Sequence, residues 1–96
     1  MIEVRETATF SEWLSSLRDV RAKAEVARRV RRLALGNPGD VKPVGEGVSE
    51  LRIHYGPGYR VYCVRRGLPL IVLLCGGDKG AQAKDIALAL KLAKEV

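Results

Sequence analysis

The segment from Val48 to Arg66 constrains the fold more than any other part of the chain. In "VSELRIHY", Leu51, Ile53 and Tyr55 alternate with Glu50, Arg52 and His54; in "YRVYCVRR", Tyr59, Val61 and Cys63 alternate with Arg60, Tyr62 and Val64. A period of two on both sides of "GPG" is the pattern of a β-hairpin. Taken as a three-residue loop, Gly56-Pro57-Gly58 sets Tyr55 opposite Tyr59, Ile53 opposite Val61 and Leu51 opposite Cys63. The other face then pairs His54 with Arg60 and Arg52 with Tyr62. A slip of one residue would put the two apolar sets on opposite sides, so the pattern itself selects the faces.

The flanking elements follow from local signals. "IEVR" is a short strand candidate. Thr9-Phe10-Ser11-Glu12 fits a capping box, and Phe10, Trp13, Leu14 and Leu17 then recur at helical spacing. Asp19 is placed to cap a second helix, which shows Ala22, Val26, Val30 and Leu33 on one face and Arg21, Glu25, Arg28 and Arg32 on another. Gly36 and Asn37-Pro38 end it. "VKPV" reads as an edge strand, because Pro43 cannot donate to a ladder. "LIVLLC" is apolar on both faces, as a central strand is. A last helix from about Ala81 buries Ile86, Leu90 and Ala93 and leaves Lys84, Lys91 and Lys94 outside. The predicted order is β-α-α-β-β-β-β-α, an α+β fold in one domain over residues 1–96, and 47% apolar residues are enough for its core.

"LLCGGDKGAQAKDI", Leu73 to Ile86, has the outline of a phosphate loop, but Lys79 is followed by Gly80 and Ala81 where a nucleotide-binding loop needs a hydroxyl. The dinucleotide spacing is absent as well, so Gly76 and Gly77 are expected to supply turn geometry. One histidine and two cysteines make no metal-binding set, and no cofactor or metal is expected. Cys63 and Cys75 lie in apolar runs and read as core thiols on opposite faces of the sheet. No apolar run approaches the roughly 20 residues of a membrane span, and the start of the chain has no leader pattern. A cytoplasmic, reduced, membrane-free protein is the expectation.

The net charge of +6 favours a polyanion or an acidic protein as partner. Arg18 to Arg32 holds seven Arg or Lys against two acids. The hairpin register gathers Arg52, Arg60, His54 and Tyr62 on the face away from the apolar stripe. Cations facing one another across strands repel, so an anion would stabilise the cluster; Glu50 neutralises part of it. Lys79 reaches the same place from the end of the sheet.

"RRLALGNPGDVKPVGEGVSELRIHYGPGYRVY" followed by "GGDKGAQAKDI" resembles the HigB-like addiction-module killer proteins of the RelE/ParE toxin superfamily, in the phage Gp49-like branch. The match is detailed from Arg31 to Ala89 and continues elsewhere by element order. The resemblance implies a twisted, mostly antiparallel sheet with two helices packed on one face. It implies a cognate helix-turn-helix (HigA-like) antitoxin as partner and metal-independent cleavage of ribosome-bound mRNA as activity. Arg52 and Arg60 match the strand arginines that would clamp the scissile phosphate, and Lys79 matches the basic residue of the loop before the last helix. His54 is the candidate proton carrier, with Asp85 a second candidate or simply a helix-terminus carboxylate. Tyr62, Arg28, Arg32 and Lys84 are candidate RNA contacts. The chain departs from better-known relatives in having no tyrosine or histidine after Tyr62. A ParE-like toxin that poisons DNA gyrase by binding, or a degenerate toxin that only binds its antitoxin, are the competing readings. Both arginines are placed on a polar strand face, where their removal is expected to change stability by no more than about 1 kcal/mol.

Overall fold

A computed structural model describes residues 2–67 and 69–96. The elements are β1 (Glu3–Glu6), α1 (Ala8–Ser16), α2 (Val20–Ala34), β2 (Val41–Gly45), β3 (Val48–Ile53), β4 (Tyr59–Arg66), β5 (Leu70–Gly77), a 3₁₀ turn (Lys79–Ala81) and α3 (Gln82–Ala93). The expected order and α+β class are therefore observed. The strands form one five-stranded sheet in the order β1-β5-β4-β3-β2. Only the β1–β5 pair is parallel, as the two intervening helices between β1 and the rest of the sheet allow.

Two apolar layers sandwich the sheet. Phe10, Val26 and Leu33 from α1 and α2 pack on Leu51, Ile53, Val61 and Leu73. On the opposite face Ala89 and Ala93 of α3 pack on Val48, Tyr62, Val64 and Leu74. A bulge in β5 sets Cys75 opposite Tyr62 and Leu73 opposite Cys63, leaving Leu74 as the extra residue. Leu74 and Cys75 both join the α3 layer in consequence. Cys63 belongs to the other layer, and both thiols are free and buried. Burial pushes the Cys63 thiol up to about 11 and the Cys75 thiol to about 12. No helix among the described residues is long and apolar enough to cross a membrane.

The second helix behaves as read from sequence. Asp19 accepts hydrogen bonds from the Arg21 and Ala22 amides, and Gly36 ends the helix with φ +88°. The first helix differs. Its cap is Thr7, whose Oγ1 accepts from the Phe10 amide at 3.1 Å, so Thr9 lies inside the helix and no capping box forms. Thr7 wins because its hydroxyl also donates to the Leu74 carbonyl at 2.6 Å, tying the helix start to β5.

The hairpin register also differs, by two residues. Ile53 pairs with Tyr59, Arg52 with Arg60, Leu51 with Val61 and Glu50 with Tyr62. The loop is thus five residues long, His54 to Gly58, with Gly56 at φ +58° and Gly58 at φ +80°. A two-residue shift returns every side chain to its original face, so alternation alone cannot detect it. The faces stand as expected and the partners do not.

Gly76 and Gly77 lie within β5 and not in a turn. They serve close approach. A Cβ on Gly76 would lie 2.4 Å from the Trp13 ring, and one on Gly77 would lie 1.8 Å from Asp85 Oδ2. The tryptophan seals one face of the strand end and the aspartate covers the other.

Candidate functional site

At the loop end of the hairpin, β3, β4 and the 54–58 loop surround a cleft of about 410 Å³. Arg52, His54, Tyr55, Arg60 and Lys79 contribute the side chains that can act in it. Four of the residues expected to form the site, Arg52, Arg60, His54 and Lys79, are thereby brought together.

The floor of the cleft is organised by Glu50, a fully buried carboxylate beneath the paired arginines. Arg52 Nε donates to its Oε1 at 3.0 Å. Tyr62 Oη donates to Oε2 at 3.0 Å, and Gln82 Nε2 from the start of α3 donates to the same oxygen at 2.9 Å. Arg60 Nε lies 3.6 Å from Oε2. Burial alone would push the Glu50 carboxyl up. The hydrogen bonds from Arg52, Gln82 and Tyr62 and the positive field of Arg60 outweigh it, and the group is held below the ordinary glutamate range. Two guanidinium groups directly across a strand pair would repel each other; an ionised carboxylate under both makes the pair tolerable. Arg52 meets Glu50 through Nε, so its two terminal nitrogens are without hydrogen-bond partners among the described residues. Arg60 uses Nη1 on the Gly58 carbonyl at 2.8 Å, which fixes it to the loop.

The rim is built differently. His54 is not a strand residue opposite Arg60 but the first residue after β3, with its side chain 77% exposed. Its Nε2 sits 2.5 Å from Asp40 Oδ2. The hydrogen bond from His54 holds the Asp40 carboxyl below its usual range. Asp40 comes from the turn before β2, and the Arg52 amide donates to its carbonyl at 3.0 Å. Lys79 is exposed at the start of the 3₁₀ turn, which Asp78 caps by accepting from the Gly80 amide at 2.9 Å. A Cβ on Gly58 would lie 3.5 Å from the Lys79 Cβ, so the lysine stem passes close to the hairpin loop. With three cations converging and an Asp–His pair at the edge, the cleft can hold a phosphodiester and move a proton beside it.

Other expected contacts lie elsewhere. Tyr62 is completely buried under α3, its hydroxyl is committed to Glu50, and burial raises its pKa well above the usual phenol range. Its ring therefore offers no face to a base. The sequence pattern put Tyr62 on a polar face; α3 covers that face. Arg28 is exposed on α2, 3.4 Å from Glu25, while Arg32 is half-buried on the same helix and Lys84 is exposed on α3. None of these three lines the cleft. Asp85 stands in the first turn of α3 with Oδ2 buried and unpartnered, and burial, then repulsion from Asp78, raises its carboxyl pKa. It lies over Gly77, the residue paired with Arg60, behind the cleft floor.

Arg60 needs one further correction. It is buried, with only 10% of its side chain exposed beside a fully buried carboxylate, so its removal is not neutral for stability. Three supporting residues were missed: Asp40, Gln82 and Arg29. Asp40 could have been found by extending the β2–β3 ladder, since Val41 opposite Leu51 sets Asp40 beside Arg52. Gln82 and Arg29 reach across elements and leave no local sequence signal.

The pattern of the family described as "Phage derived protein Gp49-like (DUF891)" matches residues 12–94. An uncharacterized protein of Haemophilus influenzae is 50% identical over 95 residues, which cover 99% of this chain and 96% of that one. The family match spans the whole lining of the cleft, from Arg52 through Lys79. The chain belongs to the phage-derived Gp49-like family, a toxin-like family.

Proposed function

We propose that this protein is the toxin of a type II toxin–antitoxin module and acts in the cytoplasm as a HigB-like, metal-independent endoribonuclease on ribosome-bound mRNA. The observation that carries the reading is the convergence of Arg52, Arg60 and Lys79 on one cleft with the Asp40–His54 pair at its rim. Membership of a toxin-like family supports the module, and with it an antitoxin partner, here assigned as a HigA-like helix-turn-helix protein.

The mechanism needs only the RNA's own nucleophile. The 2′-hydroxyl attacks the adjacent phosphorus, the bond to the 5′-oxygen breaks, and a 2′,3′-cyclic phosphate and a 5′-hydroxyl result. With His54 Nε2 donating to Asp40, Nδ1 is the ring nitrogen left to take the 2′-hydroxyl proton, and the carboxylate stabilises the imidazolium that forms. Arg52 and Arg60 meet the non-bridging oxygens, where charge accumulates in the pentacoordinate transition state. Planar guanidinium groups suit that two-point contact better than an ammonium. Lys79 neutralises the developing charge on the leaving 5′-oxygen, which takes its proton from solvent water as the P–O bond breaks. Tyr62 contributes by bracing Glu50. Asp85 stands in the first turn of α3, outside the cleft lining, and Arg28, Arg32 and Lys84 supply long-range attraction for RNA outside the cleft.

Toe-printing of ribosome-bound mRNA with purified protein tests the reading. Arg52→Ala and His54→Ala, each at matched folding, are expected to slow cleavage on the order of a hundredfold. Cleavage at the parent rate by both variants removes the basis of the proposal. The absence of any tyrosine or histidine after Tyr62 favours a gyrase-binding toxin as the second reading. Overproduction separates the two, since loss of mRNA supports the nuclease and a DNA-damage response with intact mRNA supports the alternative.

A further inference from the structure

Beneath the cleft, and outside its lining, α2 places a guanidinium in an unusual setting. Arg29 is only 7% exposed, and no carboxylate forms an ion pair with it among the described residues. Its partners are backbone carbonyls. Nη1 donates to the Arg52 carbonyl, and Nη2 donates to the carbonyls of Pro38 at 2.8 Å and Asp40 at 3.1 Å. Nε is buried and unpartnered. Burial depresses the pKa of the group and the charge of Arg32 adds to this, while the Asp40 carboxylate, though not ion-paired with it, opposes the shift in part. Such a cation is a poor device for stability alone, because burying a charge without an ion-paired partner is unfavourable.

Its position suggests what else it does. The Asp40 carbonyl that receives Nη2 also receives the Arg52 amide, and the Asp40 carboxylate holds His54. Arg29 therefore touches the main chain of the residue that carries the clamp and of the residue that carries the proton-transfer pair. The turn is moulded on the guanidinium: Gly39 takes φ +71°, and a Cβ there would lie 3.0 Å from Nη2. We propose that Arg29 is the positioning residue of the cleft, fixing the Pro38–Asp40 turn to the end of β3 and so setting the separation between the Asp40–His54 pair and Arg52. The catalytic consequence rests on the nuclease reading; the geometric role does not. Lysine cannot replace it, since one ammonium on a flexible stem cannot span three carbonyls held in a plane-like fork.

The test uses the full chain with Arg29→Lys, and Gly39→Ala as a second variant that keeps the guanidinium but crowds it. Two readouts are independent of RNA: hydrogen exchange at the Arg52 amide, and titration of the Asp40 carboxyl followed by NMR. In the folded variant, Arg52 exchange is expected to quicken by about tenfold and the Asp40 carboxyl to titrate higher, towards an ordinary aspartate. In steady-state cleavage, kcat is expected to fall about tenfold or more while KM changes by less than about threefold. Where Arg29→Lys does not fold, Gly39→Ala carries the same readouts. Unchanged Arg52 exchange and Asp40 titration in a folded variant overturn the proposal. In a parent that cleaves RNA, altered NMR with an unaltered kcat overturns the catalytic consequence. A parent protein inert towards RNA, with both NMR changes present in the variant, sinks the nuclease reading and leaves the positioning role standing.

Discussion

Two carboxylates meet where α3 packs on the sheet, one in the middle of β3 and one in the first turn of the helix itself, and they are treated in opposite ways. Glu50 has hydrogen bonds from Arg52, Tyr62 and Gln82 and a second guanidinium nearby, and it is held ionised although fully buried. Asp85 has an orphaned, buried Oδ2 and a raised pKa. Burial penalises both; what differs is the number of donors each receives. The cleft is built over the satisfied one. Glu50 holds Arg52 and Arg60 side by side, and the proposed function would use that preorganisation, since a floor that binds an anion needs cations that stay put before it arrives.

The strongest way to break the contrast is to remove the satisfied carboxylate. Glu50→Ala strands Arg60 and the Tyr62 hydroxyl in a buried site and is expected to destabilise the fold by about 3–5 kcal/mol in urea titration. A variant as stable as the parent would mean that the floor is held by packing alone. Arg60→Ala follows at about 2 kcal/mol, because it removes a buried partner of Glu50 and the tie to Gly58. Arg52→Ala, whose side chain is 31% exposed, is expected within about 1 kcal/mol in the same titration. Equal losses for the two arginines would show that burial does not distinguish them.

The pH dependence of stability sharpens the contrast further. Glu50 has a folded pKa below its unfolded value, so its contribution is present above the unfolded value of roughly 4.3 and disappears as pH falls through the folded one. Thermal melts of the parent should therefore lose midpoint in that acid range, and Glu50→Gln should flatten this limb while starting from a lower plateau. An undiminished acid limb in the Gln variant would assign the loss to other groups, such as Asp40 and Asp19, whose pKa values are also lowered.

Much of this arrangement was legible in the chain, and the illegible parts have physical reasons. Alternation in Leu51–Ile53 and Tyr59–Cys63 identified the faces, Asp19 and Gly36 marked the ends of α2, and Arg52, Arg60 and Lys79 were found as a group. Alternation has a period of two, so the two-residue register shift was invisible to it. The capping signal was misplaced from Thr7 to Thr9 because the deciding contact, to Leu74, comes from a strand 67 positions away. Gln82 on Glu50, Asp40 on His54 and Arg29 on three carbonyls are tertiary choices of the same kind. Local pattern fixes which face a side chain takes; partners depend on which elements meet.

The smallest expected effect belongs to the unsatisfied carboxylate. Asp85 has a folded pKa above its unfolded value, so its protonated form is favoured by folding: that contribution is full below the unfolded value of about 3.8 and is lost as pH rises through the folded one. When ionised, the group sits without a hydrogen-bond partner over Gly77, opposed by Asp78 and only partly compensated by the charge of Lys84 and by its place in the first turn of α3. Asp85→Asn removes the charge and keeps the shape. Its stability should change by less than about 1 kcal/mol at pH 7, with a gain relative to the parent that shrinks as pH is lowered, read from melts across the acid-to-neutral range. The opposite slope, with the parent losing ground to Asn as pH falls, would mean that Asp85 is satisfied when charged. In that case the two carboxylates at the α3 interface would be alike, and donor count would not be what separates the floor of the cleft from the helix above it.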